Sequence, residues 1–235
     1  MAETIVAKVF RYDPSVDQEP TYKSYDVPWK EYTTGLEVLH YINENIDPIG
    51  FDYCCRSSLC GRCSMMIDGR PFLACEKTLQ PGEHVFEPMI GFPVIRDLVT
   101  DHSKIMEKVV ATGLAVQSVD PIVELDNIPY DKYWDKLEPL NMCRDCMCCY
   151  AVCPPLQEEN KWESFIGPSA MAQLAKRAID PVDKADRIAQ AALSGIFDCT
   201  LCGKCAAVCP AEIPHVELFT MLQEEAEARG LKPKA

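Results

Sequence analysis

Fourteen cysteines are the residues with the most chemistry to offer, and they fall in three groups: Cys54 to Cys75, Cys143 to Cys153, and Cys199 to Cys209. The second and third groups repeat one pattern. Cys143-Arg-Asp-Cys146-Met-Cys-Cys149-Tyr-Ala-Val-Cys153-Pro154 and Cys199-Thr-Leu-Cys202-Gly-Lys-Cys205-Ala-Ala-Val-Cys209-Pro210 both read C-x2-C-x2-C-x3-C-P. This spacing winds a tight loop whose first three thiolates converge on one face of a cubane iron–sulfur cluster. The fourth, set apart by the longer spacer and turned by proline, ligates the other cluster. Crossed ligation then puts one cluster on Cys143, Cys146, Cys149 and Cys209. The second takes Cys153, Cys199 and Cys205, with Cys202 available as a fourth ligand.

The first group gives C-x4-C-x2-C-x11-C over Cys55, Cys60, Cys63 and Cys75, the plant-type [2Fe–2S] pattern. Gly61 lets the backbone turn close to the cluster, where amide N–H groups can bond sulfur. Cys54 fits this spacing poorly and reads as a buried apolar thiol. Cys148 falls outside the register of the repeat and reads as packing. Zinc is the competing reading, since two quadruplets of thiols would satisfy two tetrahedral ions by count. The duplicated C-x2-C-x2-C-x3-C-P spacing belongs with cubanes instead.

Composition narrows the setting. Of the 235 residues, 48% are hydrophobic and 25% charged, which is globular and excludes disordered or collagen-like chains. The length suits two domains. A formal charge of −13 argues against nucleic acid, whose phosphates require clustered Lys and Arg. The longest mostly apolar region, Val109 to Val119, is too short and too interrupted to cross a bilayer. Met1 to Thr4 has no charged-then-apolar leader layout, so the chain reads as soluble and kept in the cytoplasm. A reducing compartment favours ligation over disulfides.

Two kinds of scaffold must position these thiols. In the N-terminal part, Thr4 to Arg11 and Thr21 to Val27 are strand candidates, rich in β-branched and aromatic residues. Thr34-x-x-Glu37 has the form of a capping box opening a helix that carries Leu36, Leu39, His40 and Ile42 or Ile46. Ser64 to Ile67 and Arg70 to Leu73 make a hairpin around Asp68-Gly69, a dipeptide suited to a type I′ turn. Glu83 to Pro88 closes the sheet. The boundary falls in the cysteine-free span 76–142, with the Pro-containing stretch Glu87 to Pro93 as the link. Beyond it strand signals almost vanish. Ser169 to Ile179, Asp183 to Leu193 and His215 to Arg229 carry helical stripes. The fold class is α+β, with domains at 1–100 and 101–235.

The order and spacing of these features resemble the iron–sulfur subunit of the succinate dehydrogenase and quinol:fumarate reductase family, nearly end to end. Val9-Phe10-Arg11-Tyr12, Cys55 to Cys63, Pro93-Val94-Ile95-Arg96-Asp97-Leu98-Val99, Phe165-Ile166-Gly167-Pro168 and both Cys-Pro runs carry the likeness. The resemblance implies an N-terminal β-grasp, plant-type ferredoxin-like domain and a C-terminal all-helical, bacterial-ferredoxin-like domain. It implies a [2Fe–2S] cluster on Cys55, Cys60, Cys63 and Cys75, and a [4Fe–4S] cluster on Cys143, Cys146, Cys149 and Cys209. It implies a [3Fe–4S] cluster on Cys153, Cys199 and Cys205. Family members usually have an aliphatic residue where Cys202 stands; a thiol there either completes a [4Fe–4S] centre or points away.

The implied partners are an FAD-containing flavoprotein subunit, an integral membrane anchor that can carry haem b, and a quinone. Pro155-Leu156-Gln157-Glu158 and Thr200 depart from the tryptophan-rich run and histidine of ubiquinone-linked members, which leans toward menaquinone. Pro154 and Trp162 are the quinone-vicinity candidates, with packing on a partner subunit the plainer role for Trp162. The implied location is peripheral, on the cytoplasmic face of the inner (cell) membrane. Other rivals are the iron–sulfur arm of another membrane-linked dehydrogenase or a thiol-dependent fumarate reductase, and a freestanding ferredoxin-like carrier. His40 and His84 read as helix and strand residues, His102 and His215 as surface or capping groups. Glu217, Glu224, Glu225 and Glu227 read as a solvated helix face.

Overall fold

The computed structural model describes residues 3–118, 128 and 130–232. The chain divides into two compact units. One comprises 1–102 together with 144–151, and the other 103–143 together with 152–235.

The first unit is built on a five-stranded sheet. Its strands are β1 (Thr4–Arg11), β2 (Thr21–Pro28), β3 (Ser64–Ile67), β4 (Arg70–Leu73) and β5 (Gly82–Glu87), in the order β2-β1-β5-β3-β4. β1 and β5 are parallel and the remaining pairs antiparallel. Alternation along β1 buries Ile5, Ala7 and Val9, which face the helix α1 (Gly35–Asn45) side of the core with Leu36, Leu39 and Ile42. The expected capping box is present: the Thr34 hydroxyl accepts from Glu37 N–H at 3.2 Å, and Glu37 accepts from Thr34 N–H at 2.8 Å. Asp68 and Gly69 both take positive φ, 52° and 73°, as a type I′ turn requires.

The stretch 87–93, expected to link two domains, lies inside this first unit with Met89 and Phe92 buried. Beyond it, β6 (Val94–Arg96) and β7 (Val99–Thr100) form a small antiparallel ribbon. Asp97 ties the ribbon down, accepting from Arg11 Nε at 3.1 Å, Tyr12 N–H at 3.0 Å and Gly50 N–H at 2.8 Å.

The second unit is helical: α2 (Ser103–Ala111), α3 (Trp134–Asn141), α5 (Pro154–Gln157), α6 (Pro168–Ile179), α7 (Arg187–Leu193), α8 (Lys204–Ala207) and α9 (His215–Ala228). The short α4 (Cys148–Ala151) belongs to the first unit. α3, α7 and α9 all pack on α6, whose Met171, Leu174 and Ala175 are fully buried. The helix expected from Asp183 begins only at Arg187. Asp183 accepts instead from Ala185 N–H at 2.9 Å, and Asp186 caps the helix by accepting from Ala189 N–H at 3.1 Å. Arg187 itself is buried. It pairs with Asp183 at 2.8 Å and holds the carbonyls of Gly113 and Ala115 at 2.9 and 2.6 Å. The glutamates of α9 are exposed as expected.

Candidate metal centres

In the first unit, the loop from Cys55 to Cys63 brings Cys55, Cys60, Cys63 and Cys75 together through sulfur-directed hydrogen bonds. Cys55 Sγ accepts from Ser57 N–H at 3.4 Å, Leu59 N–H at 3.3 Å and Cys60 N–H at 3.3 Å. Cys60 Sγ accepts from Cys55 N–H at 3.4 Å, Cys75 Sγ from Ser58 N–H at 3.3 Å, and Cys63 Sγ from Cys75 N–H at 3.5 Å. Positive φ at Arg56, Ser58 and Gly61 turns these amides inward. The hairpin supplies the other half of the nest: Cys63 precedes β3, Cys75 follows β4, and Ala74 N–H donates to Cys63 O at 3.0 Å.

The charge effects follow position. The amides of Ser57 and Leu59 draw the Cys55 thiol down to about 6, since N–H donors favour the thiolate. Burial pushes Cys63 up to about 12. Amide donors stabilise charge on sulfur, as thiolate ligands of iron carry it, and this loop supplies them. The donor set fits a [2Fe–2S] cluster. Cys54 is exposed, which corrects its reading as a buried thiol. Its side chain points out because Cys55, one residue on, points into the nest.

The second nest lies in the helical unit. Cys153, Cys199, Cys202 and Cys205 line one cavity, with Pro154, Phe165 and Phe219 among the apolar walls. Proline at the first turn of α5 leaves Cys153 just outside the helix as its N-terminal flank. Gly203, with φ 75°, turns the chain between Cys202 and Cys205. Burial pushes Cys153 and Cys205 up to about 12, with the neighbouring thiols adding to the rise at each, and Cys199 is raised by the same two causes. Crowded thiols of this kind ionise readily only when a cationic centre offsets their charge, and that is the chemistry of a metal-ligand set. Cys202 is the exposed member; Cys153 and Cys205 are buried. Pro154 is among the cavity's lining residues and Trp162 is not. The Trp162 backbone carbonyl accepts from Lys108 Nζ.

The remaining four sequence candidates divide between the units. Cys146 and Cys149 belong to the first, Cys143 and Cys209 to the second. Cys146 and Cys149 are buried, and Cys143 Sγ lies 3.7 Å from Ser169 Oγ at the start of α6. Cys146 is drawn down to about 7, first by a hydrogen bond from the Cys148 side chain and also by the charge of Arg144. Cys148 is buried, as its packing role anticipated.

Sequence reasoning picked out Gly61 for its turn but missed its contact with Arg144, and it missed Arg144 itself and the burial of His215. A Cβ on Gly61 would stand 2.2 Å from Arg144 O, a contact that no local pattern announces. Arg144 carries buried guanidinium nitrogens, and the signal for it was a charged residue inside a C-x2-C loop. His215, read as a surface or capping group, is buried with Nδ1 2.8 Å from Ile213 O. Its ring sits edge-on to Phe219 in the core, which the lone-histidine pattern did not reveal.

Known proteins match this arrangement. Residues 6–107 match the family model of a 2Fe-2S iron-sulfur cluster binding domain, and residues 139–213 that of a 4Fe-4S dicluster domain. The chain is 36% identical to the fumarate reductase iron-sulfur subunit of Mycobacterium tuberculosis, covering 99% of this chain and 96% of that one. It is 39% identical to a subunit of the fumarate reductase (CoM/CoB) of Methanothermobacter marburgensis over 89% of this chain, and spans 41% of that relative's length. Among solved structures it superimposes on a chain of the Mycobacterium smegmatis Sdh1 complex with a TM-score of 0.85 at 25% identity, covering 100% of both. The two matched modules hold [2Fe–2S] and [4Fe–4S] clusters, and a third cluster is consistent with the cysteines that remain. Among the described residues no helix is long and apolar enough to cross a membrane. With a full-length relative at 36% identity and a matching fold along its whole length, this chain belongs to the iron–sulfur subunit family of fumarate reductase and succinate dehydrogenase.

Proposed function

We propose that this chain relays single electrons between a flavoprotein that interconverts succinate and fumarate and a membrane quinone. A bound FAD and a quinone each exchange two electrons, whereas an iron–sulfur cluster passes one at a time. The residues of this chain fix cluster spacing and tune potential through burial and hydrogen bonds to sulfur. The observation that carries the reading is the amide-lined nest, in which Ser57, Ser58, Leu59, Cys60 and Cys75 donate to cysteine sulfur. Backbone donors are spent on sulfur where sulfur holds charge.

The proposed ligand sets are Cys55, Cys60, Cys63 and Cys75 for [2Fe–2S], and Cys143, Cys146, Cys149 and Cys209 for [4Fe–4S]. Cys153, Cys199 and Cys205 hold the third centre as [3Fe–4S]. Cys202, the exposed thiol of that cavity, stands at its open corner. The partners are an FAD-containing subunit and an integral anchor, with haem b in the anchor and menaquinone as the electron carrier. The quinone lies near Pro154. The chain then sits peripherally on the cytoplasmic face of the membrane.

The test is purification of the native complex under anaerobic conditions. Co-elution with a flavoprotein and an anchor, and cluster reduction by succinate or a quinol, supports the reading. A monomer that neither reagent reduces contradicts it. A second reading, the iron–sulfur arm of a fumarate reductase served by CoM and CoB, draws on the 39% identity to the Methanothermobacter marburgensis protein. Cluster reduction by those two thiols and not by a quinol selects it.

A further inference from the structure

Among the described residues, Arg144 has the only guanidinium with buried nitrogens left without an acceptor. Its Nε and Nη1 are both shut off from solvent and neither has a hydrogen-bond partner. Other enclosed arginines are provided for. Arg187 reaches Asp183, Gln190 and two carbonyls, and Arg11 reaches Asp97, Asp47 and Tyr25. A guanidinium has five donors, no acceptor, and keeps its charge at any ordinary pH. Burying two donors of a cation without an acceptor is among the most costly arrangements a fold can hold. It persists where the acceptor belongs to the site.

The backbone that carries Arg144 is closely packed. Arg144 O and the Cys146 Cα lie 2.2 and 3.0 Å from where a Gly61 Cβ would stand, so the 144–146 loop is pressed against the 60–63 loop. Arg144 stands between Cys143 and Cys146, inside a run spaced for a cubane, so cluster sulfur is the acceptor its position in the chain offers.

We propose that Arg144 sets the potential of the cluster held by Cys146 and Cys149, donating Nε–H and Nη1–H to its sulfur and favouring its reduced form. The proposal rests on the reading that this run carries a [4Fe–4S] cluster. Reduction adds one electron, and so one negative charge, to the cluster. A fixed cation and hydrogen bonds to sulfur stabilise that form and raise the potential. A guanidinium does not titrate at ordinary pH, so no proton accompanies the electron. Arg144 is a tuning residue and not a ligand.

The experiment uses the intact complex with arginine labelled with 15N at the guanidino nitrogens, reduced to the paramagnetic [4Fe–4S] state. Pulsed EPR should show 15N coupling on that signal, and Arg144→Lys should remove it. In redox titrations, Arg144→Gln should lower the midpoint of this cluster while shifting the [2Fe–2S] midpoint less, and Arg144→Lys should fall between. No arginine coupling on a fully formed cluster overturns the proposal. So does an unmoved midpoint in Arg144→Gln with iron and sulfide intact. Should Arg144→Gln fail to assemble, the labelled native complex and Arg144→Lys decide the matter. Absence of any [4Fe–4S] signal, iron or sulfide in the native complex means that the ligand assignment itself fails, and the proposal with it.

Discussion

Gly61 and Arg144 are in such close approach that a methyl group on Gly61 would stand 2.2 Å from the Arg144 carbonyl oxygen. Gly61 belongs to the loop carrying Cys60 and Cys63, and Arg144 to the loop carrying Cys146. Two sulfur-bearing loops thus meet at a point where only glycine fits. Gly61 also holds φ 71°, a conformation that costs an L-residue roughly 1–2 kcal/mol by itself. We expect Gly61→Ala to lose more than that and to disturb the EPR signals of both clusters. Gly69→Ala is the control, because φ there is 73° but nothing lies within 4 Å of the added methyl. It should cost about 1 kcal/mol and leave both signals unchanged. Equal effects of the two substitutions would remove the steric argument.

The buried pair Asp183–Arg187, with side chains 0% and 1% exposed, holds the 113–115 carbonyls to the helical unit. Asp183→Asn leaves the guanidinium without its counter-charge, which costs roughly 3–5 kcal/mol in buried pairs. At about 2–4 °C per kcal/mol the apparent unfolding midpoint should fall by roughly 6–20 °C at a fixed scan rate. A fall of only a degree or two would show that the pair contributes little.

His215 is buried, and burial pushes its pKa below the ordinary 6.5, only partly offset by the Ile213 carbonyl. The folded state therefore prefers the neutral ring, and the unfolded state binds the extra proton. Stability from this group is complete above about 6.5 and is lost as pH falls toward the depressed folded value, with a slope of at most about 1.4 kcal/mol per pH unit. His40 and His102 are displaced in the same direction, by burial first. His215→Asn should accordingly flatten the loss between pH 6.5 and the acid limb without abolishing it, as followed by chemical denaturation at a series of pH values. An unchanged slope would mean that His215 titrates alike in both states.

Cys202 is the exposed thiol in a cavity whose other sulfurs are more enclosed. In the proposed third centre, an iron beside Cys202 would be the one most readily lost or regained. Ferrous iron added under reducing conditions should convert the third centre of the native protein from [3Fe–4S] to [4Fe–4S], and Cys202→Ala should resist conversion. The measurement is loss of the oxidised [3Fe–4S] EPR signal after reoxidation. Equal conversion in both proteins would exclude Cys202 as the fourth ligand.

Local rules made much of this molecule legible. The 64–73 hairpin, the capping box at Thr34 and Glu37, and the apolar stripe of α6 depend on neighbours a few residues apart, and the structure has all three. Cysteine spacing is local as well: Cys55, Cys60, Cys63 and Cys75 share one hydrogen-bonded loop and hairpin, and Cys153, Cys199, Cys202 and Cys205 line one cavity. Features fixed by distant contacts were not legible. Cys54 is turned outward by its neighbour's place in the nest, and His215 is enclosed by the packing of α9. Arg187, where the helix starts late, is held by the carbonyls of Gly113 and Ala115, far away in sequence. β6 and β7 are too short to leave a pattern, and Asp97 anchors their ribbon through Arg11, far away in sequence.

The central claim is that three groups of cysteine sulfur hold iron along an electron path. Low-temperature EPR of the anaerobically purified complex through a redox titration, with iron and acid-labile sulfide assayed on the same sample, tests it most directly. The account predicts an oxidised [3Fe–4S] signal near the free-electron g value, then a [2Fe–2S] signal on reduction, then a faster-relaxing [4Fe–4S] signal at lower potential. A colourless protein with no acid-labile sulfide and none of these signals would contradict it.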